Sequence, residues 1–271
     1  GFAANIANCA QTPTTEESDF TISGNKYTCG ANGETFDNTT ATGDDTTPYY
    51  IINNTSQSII VVGNKDSVII KNSGTIQTTA ANTPAINGNN STNLTITNNS
   101  GGIIKSLKKA ININSGTDAE ITNAGNITSQ GAEGIKANGA GLKVTNSGTI
   151  TATSRGINIE NVNTTVTNSG NIYGTDDKAI NITGDNATIT NESGGLIRAG
   201  SDGSVDGRQA NAVLFDKAND SDRNGTLENY GTITAARSAV KVSMQNVIIN
   251  NYSGATIQHT DDVSDFAAIQ I

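Results

Sequence analysis

The chain has 271 residues, a formal net charge of −9 at neutral pH, 29 glycines, 5 phenylalanines, 6 tyrosines and no tryptophan. So few aromatics cannot fill the centre of a globule of this length, whereas a thin core of stacked isoleucine and valine needs only small β-branched side chains. The acidic balance argues against nucleic acid as a partner, and the one short cationic stretch, Lys105-Ser106-Leu107-Lys108-Lys109, reads as a solvated loop.

Residues 1–48 stand apart from the rest of the chain. They hold both cysteines, Cys9 and Cys29, a turn signal at Gly30-Ala31-Asn32-Gly33, and a Thr- and Asp-rich stretch from Asp37 to Thr47. Phe20-Thr21-Ile22-Ser23 and Lys26-Tyr27-Thr28-Cys29 alternate as short strands do. Two cysteines in one segment, without further Cys or His beside them, fit a disulfide better than a metal site. Closing a loop of this size contributes about 3 kcal/mol, and such a bond points to an oxidising compartment. The opening Gly1-Phe2-Ala3-Ala4 lacks the basic residue and long apolar core of an intact signal peptide. No apolar run approaches the roughly 20 residues of a membrane-spanning helix. A repeat array needs its first open edge covered, and this segment is expected to be that N-terminal cap.

From Tyr49 the chain restates one phrase. Asn-Ser-Gly-Thr-Ile occurs at Asn72 to Ile76 and at Asn146 to Ile150, with close variants beginning at Asn123, Asn168 and Asn229 and looser ones at Asn99, Asn191 and Asn251. Marked by the glycines at 74, 101, 125, 148, 170, 194, 231 and 254, the intervals are 27, 24, 23, 22, 24, 37 and 23 residues. A second mark, a small residue followed by alternating aliphatics, recurs as Ala110-Ile111-Asn112-Ile113, Gly156-Ile157-Asn158-Ile159, Ala179-Ile180-Asn181-Ile182 and Ala239-Val240-Lys241-Val242. A third strand leads into each Asn mark, as in Leu142-Lys143-Val144-Thr145.

Hairpins also use Asn-Gly turns, but they do not demand the same residue types at one register every 23 residues or so. Coils stacked about 4.8 Å apart do. The expected fold is therefore all-β: a right-handed parallel β-helix of roughly 23-residue coils over residues 49–271, behind the cap. In it Asn stacks on Asn as an amide ladder, Ile fills the core, and Gly supplies a positive φ at the turn. The 37-residue interval reads as one coil carrying two extended loops, at about 199–210 and 216–225, with a smaller excess at 258–266. The chain closes on Ala268-Ile269-Gln270-Ile271, in mid-coil, as a fragment of something longer would.

With Asn-Ser-Gly-Thr-Ile and Gly-Ile-x-Ile repeating in an Asn-, Thr- and Gly-rich chain, residues 49–271 resemble the passenger domains of bacterial autotransporters. That resemblance implies a surface-exposed or secreted β-helix, exported by type V secretion through periplasm and outer membrane. It implies a role in adhesion, autoaggregation or biofilm formation, and a C-terminal outer-membrane barrel not present in this chain. Some members carry protease or esterase domains.

The residues offer little for catalysis. The one histidine, His259, sits in Gln258-His259-Thr260-Asp261-Asp262, read as a loop, and no Gly-x-Ser-x-Gly nucleophile context accompanies it. A carbohydrate-active enzyme would need paired carboxylates, for which Asp176, Asp177, Asp202 and Asp206 are candidates, with Arg198 or Arg208. Asp220-Ser221-Asp222-Arg223-Asn224-Gly225 matches the opening of a calcium loop, making Asp220, Asp222 and Asn224 candidate ligands, although Gly231 stands where the closing Glu belongs. No other cofactor is expected. The leading expectation is a non-catalytic adhesin or self-association module that binds a host glycan, a matrix component or its own copies through multivalent polar contacts. Its specificity is expected in the loops that break the period, at Asp202, Asp206, Arg208, Asp216, Asp220, Asp222, Arg223, His259 and Asp261. The alternatives are a polysaccharide lyase or glycosidase, and a stalk displaying another domain.

Overall fold

The computed structural model describes residues 9–12, 16–17, 20–21, 25–29, 35–37, 49–53, 56–57, 59–63, 66–200, 210–216, 223–260 and 267–271. Among these residues there is no helix, and the strands form three long sheets and one two-stranded ribbon. Sheet 1 has eleven strands, from Cys9–Thr12 to Asn246–Asn251; sheet 2 has nine, from Ser56–Gln57 to Thr256–His259; sheet 3 has ten, from Thr35–Asp37 to Ile269–Gln270. One coil visits the sheets in turn, as Lys143–Asn146, Thr149–Ala152 and Arg155–Ile159 do, and the next coil repeats the visit in parallel. This is a right-handed parallel β-helix, with the hand that parallel crossovers take.

Three of the aliphatic columns that fill the interior run one along each sheet. Ile70, Ile96, Ile121, Val144, Val166, Ile189 and Leu227 align in sheet 1. Ile76, Ile104, Ile127, Ile150, Ile172, Ile197 and Ile233 align in sheet 2. Ile86, Ile111, Ile135, Ile157, Ile180, Val213 and Val240 align in sheet 3. All are buried. β-Branched side chains suit both the extended backbone and a core only one side chain deep.

A fourth column is polar. Asn53, Asn72, Asn98, Asn123, Asn146, Asn168, Asn191 and Asn229 are fully buried at the corner between sheets 1 and 2. Each Nδ2 donates to the Oδ1 of the asparagine one coil on, over 2.7–2.9 Å, and the run ends on exposed Asn251. The remaining N–H donates to main-chain carbonyls of the turn, for Asn146 those of Gly148 and Asn171. Buried amides are tolerated because this leaves no donor idle. The ladder crosses the irregular coil unbroken, since Asn191 reaches Asn229 at 2.9 Å across 38 residues of chain.

The glycines differ from expectation. Positive φ occurs at Gly101, Gly194 and Gly254, in the looser copies, but not at Gly125, Gly148, Gly170 or Gly231. There the requirement is close approach: a Cβ on Gly148 would lie 2.2 Å from the carbonyl oxygen of Gly125, and one on Gly170 would lie 2.1 Å from that of Gly148. A left-handed residue recurs instead at the corner entering sheet 1, as Asn93, Asp118, Gly141, Asn163 and Asn186. Asn and Asp tolerate that conformation better than other side chains do.

The coils also begin before residue 49. Asn25–Cys29 pairs in parallel with Tyr49–Asn53, and Thr35–Asp37 pairs with Ile59–Val61. Cys9–Thr12 runs antiparallel along the outer edge of sheet 1, in a register that sets Cys9 opposite Cys29.

Candidate binding faces

On sheet 1 the residues flanking each buried aliphatic point outward. Thr97, Thr122, Thr145, Thr167 and Thr190 are Cα partners in succession, giving one threonine per coil over five coils. A second row, two residues earlier, runs Thr95, Glu120, Lys143, Thr165, Thr188, Thr226. All of these are half-buried or exposed. The uniform Ile and Val behind them keep the strands level, so hydroxyls and methyls repeat about every 4.8 Å along the rod.

Sheet 3 carries a charged network. Asp177 meets Lys178 at 2.5 Å and Arg155 at 3.5 Å, Arg155 lies 4.0 Å from Glu133, and Lys136 lies 3.3 Å from Glu160. Asn158, fully buried, donates to Glu160 (2.9 Å) and Glu133 (3.5 Å) and accepts from Asn181 (2.8 Å). Asn158 and Asn181 are the middle residues of the Ile-Asn-Ile mark, so an asparagine chosen by the repeat also ties the charges of adjacent coils together.

Among the described residues the sequence candidates for chemistry are dispersed. Asp177 is committed to Arg155 and Lys178, while Arg198 lies over the ring of Tyr173 on sheet 2 at 4.9 Å. Asp176 is exposed beside Asp177. Asp202, Asp206, Arg208, Asp220, Asp222 and Asp261 lie outside the described residues. Asp216 follows the strand Val213–Phe215, its N–H donating to the carbonyl of Ile182. The carbonyl of Arg223 accepts from Asn246. Asn224 opens the strand Asn224–Asn229, and its backbone N–H donates to Asp185 at 2.7 Å. Gly225 is extended strand rather than the bend of a cation loop; a Cβ there would meet the Phe215 ring at 2.5 Å. His259 closes the strand Thr256–His259, paired with Ala235, rather than lying in a loop.

One cluster carries no motif. Tyr230 and Tyr252, each following a ladder asparagine, stack face to face with centroids 4.1 Å apart, and both are exposed. The Tyr252 hydroxyl donates to Glu228 Oε2 at 2.6 Å, and Asn250 donates to Oε1 at 2.9 Å. Those bonds, the tyrosine's first, hold the Glu228 carboxyl below its ordinary range, and the same bond pushes the Tyr252 phenol up. Compared with known proteins, the chain matches no family model, no curated protein and no solved structure.

Proposed function

We propose that this chain is a non-catalytic adhesion or self-association module, a rod that holds a repeating partner through many weak polar contacts. The observation that carries this reading is the threonine row of sheet 1, one residue per coil in unbroken register from Thr97 to Thr190. A regular row of hydroxyl and methyl groups suits a ligand that itself repeats: a glycan, a fibrous matrix component, or the same face of a second copy. Each contact contributes little, and repetition along a rigid scaffold supplies the avidity. The resemblance to autotransporter passengers supports placement on a bacterial surface, reached through the periplasm and outer membrane.

The test displays the chain on beads and measures retention on glycan-coated, matrix-coated and self-coated surfaces. Thr122→Lys, Thr145→Lys and Thr167→Lys together place like charges down the centre of the row without touching the core. Retention on at least one surface should fall at least tenfold while circular dichroism is unchanged. Retention unchanged on all three, or absent from the native chain on all three, rejects the reading.

A further inference from the structure

On sheet 3, toward the N-terminal end of the rod, lies an open cleft of about 230 Å³ lined by Asn82, Pro84, Asn87, Asn89, Lys108, Lys109 and Asn112. Among the described residues no carboxylate and no aromatic ring lines it, although the chain as a whole carries a net charge of −9. Its hydrogen bonding is one-sided. The oxygen of Asn82 accepts from the Lys108 ammonium at 2.9 Å, and that of Asn87 accepts from the main-chain N–H of Asn89 at 3.2 Å. The oxygen of Asn89 accepts from the main-chain N–H of Asn114 at 3.2 Å and from Asn112 Nδ2 at 2.9 Å. Ammonium and main-chain N–H groups can only donate, so these bonds fix which way the three amides face.

With their oxygens engaged, Asn82, Asn87 and Asn89 offer the cleft three NH2 groups that have no partner among the described residues. Lys109 likewise has no ion-pair or hydrogen-bond partner among them. The cleft is therefore rich in donors and cationic, and Asn112 is the only one of its four lining asparagines whose side-chain oxygen accepts no hydrogen bond among the described residues. We infer that it is a binding site for one anionic residue, carboxylated or sulfated, of an acidic polysaccharide. An anionic sugar presents what the lining lacks: a charged group for the lysines and ring and hydroxyl oxygens for the amides. Its volume is below the roughly 300–1,000 Å³ of a drug-sized pocket, and its open sides let a polymer enter and leave. The absence of a ring to stack on argues against a nucleobase. The cleft lies on a different sheet from the threonine rows, so the two assignments stand or fall separately.

The test is calorimetric titration of the full chain with three oligosaccharides of equal length: an oligogalacturonate, a sulfated oligosaccharide and an uncharged one. At least one anionic probe binds, more weakly as salt rises, and the uncharged probe does not; which anionic probe binds better separates carboxylate from sulfate. Lys108→Gln with Lys109→Gln lowers the affinity at least tenfold. Asn87→Asp with Asn89→Asp keeps the oxygens that accept from the main chain, turns two donors into carboxylate oxygens, and abolishes binding. Equal binding of the uncharged probe, no binding of either anionic probe, or unchanged binding by both folded variants overturns the inference. Thr145→Lys with Thr167→Lys should leave it intact.

Discussion

Replacing Asn146 by alanine tests the ladder at its centre. Asn146 is fully buried, accepts from Asn123 at 2.7 Å, and donates to Asn168 at 2.8 Å, to the Asn171 carbonyl at 3.0 Å and to the Gly148 carbonyl at 3.2 Å. Truncation deletes two amide–amide bonds, at about 1 kcal/mol net each, and strands one N–H of Asn123 and the oxygen of Asn168, at about 1–3 kcal/mol each for a buried group. The expected loss is about 4–8 kcal/mol, a large share of the roughly 5–15 kcal/mol that holds most domains together. Asn251 is the internal control. It accepts from Asn229 at 2.7 Å but is exposed, so water replaces what Asn251→Ala removes and the loss should stay near or below about 1 kcal/mol. Urea unfolding followed by far-ultraviolet circular dichroism measures both. Because a solenoid can unravel from its ends, equal slopes for the two variants are checked first. Equal losses for the two would refute the reasoning that buried amides in an unbroken run hold the corner.

The glycine column predicts that Gly148→Ala, whose Cβ would sit 2.2 Å from a carbonyl oxygen, lowers the melting temperature more than Gly101→Ala. The latter meets nothing within 4 Å, although its φ of +81° still strains an alanine by about 1 kcal/mol. At the tyrosine corner, Glu228 has a lowered folded-state pKa, so its favourable term is present above the ordinary carboxylate range and is lost as pH falls through the folded value. Carbon-detected titration of Glu228 should show its midpoint rising toward the ordinary range in Tyr252→Phe, yet stopping short because Asn250 still donates. In the native chain Tyr252 should ionise above the usual tyrosine range. The Cys9–Cys29 register predicts a disulfide, seen as an intact mass lower by two hydrogens until reduction, with unfolding at lower urea afterwards; free thiols in the oxidised protein would exclude it.

The coil was legible because it is written several times over. Asn146, Ile150 and Ile157 each occupy a column, and recurrence at fixed spacing separates a parallel stack from hairpins that use the same turns. The purpose of the glycines was not legible, because one residue type answers two demands. Gly148 is set by a neighbouring coil more than 20 residues away, while Gly101 is set by its own φ, and a single sequence shows only that both are glycine. The true corner residue in the looser copies is the second glycine, Gly102 or Gly195, which pairs with the column that Gly125 and Gly231 occupy. The left-handed corner leaves a trace in the sequence: Asn93, Asp118, Asn163 and Asn186 each lie two residues before the first outward position of a sheet 1 strand, a spacing hidden among so many other asparagines. The threonine rows were visible as Thr-x-Thr within the strands, but their continuity rests on register. The donor-rich cleft was not legible at all, because it depends on which atom of each amide is already engaged.

Each coil adds one more contact to a row, so binding should track the number of coils. Deleting residues 147–168 removes one whole coil and joins Asn146 to the residue after Asn168, its partner 22 positions on, leaving the ladder spacing intact. The decisive measurement is the dissociation rate of this shortened chain from the surface that retains the native one, with circular dichroism confirming the fold. Multivalent binding along the row predicts release several-fold faster. A release rate equal to that of the native chain would contradict it and place binding at a single site elsewhere on the molecule.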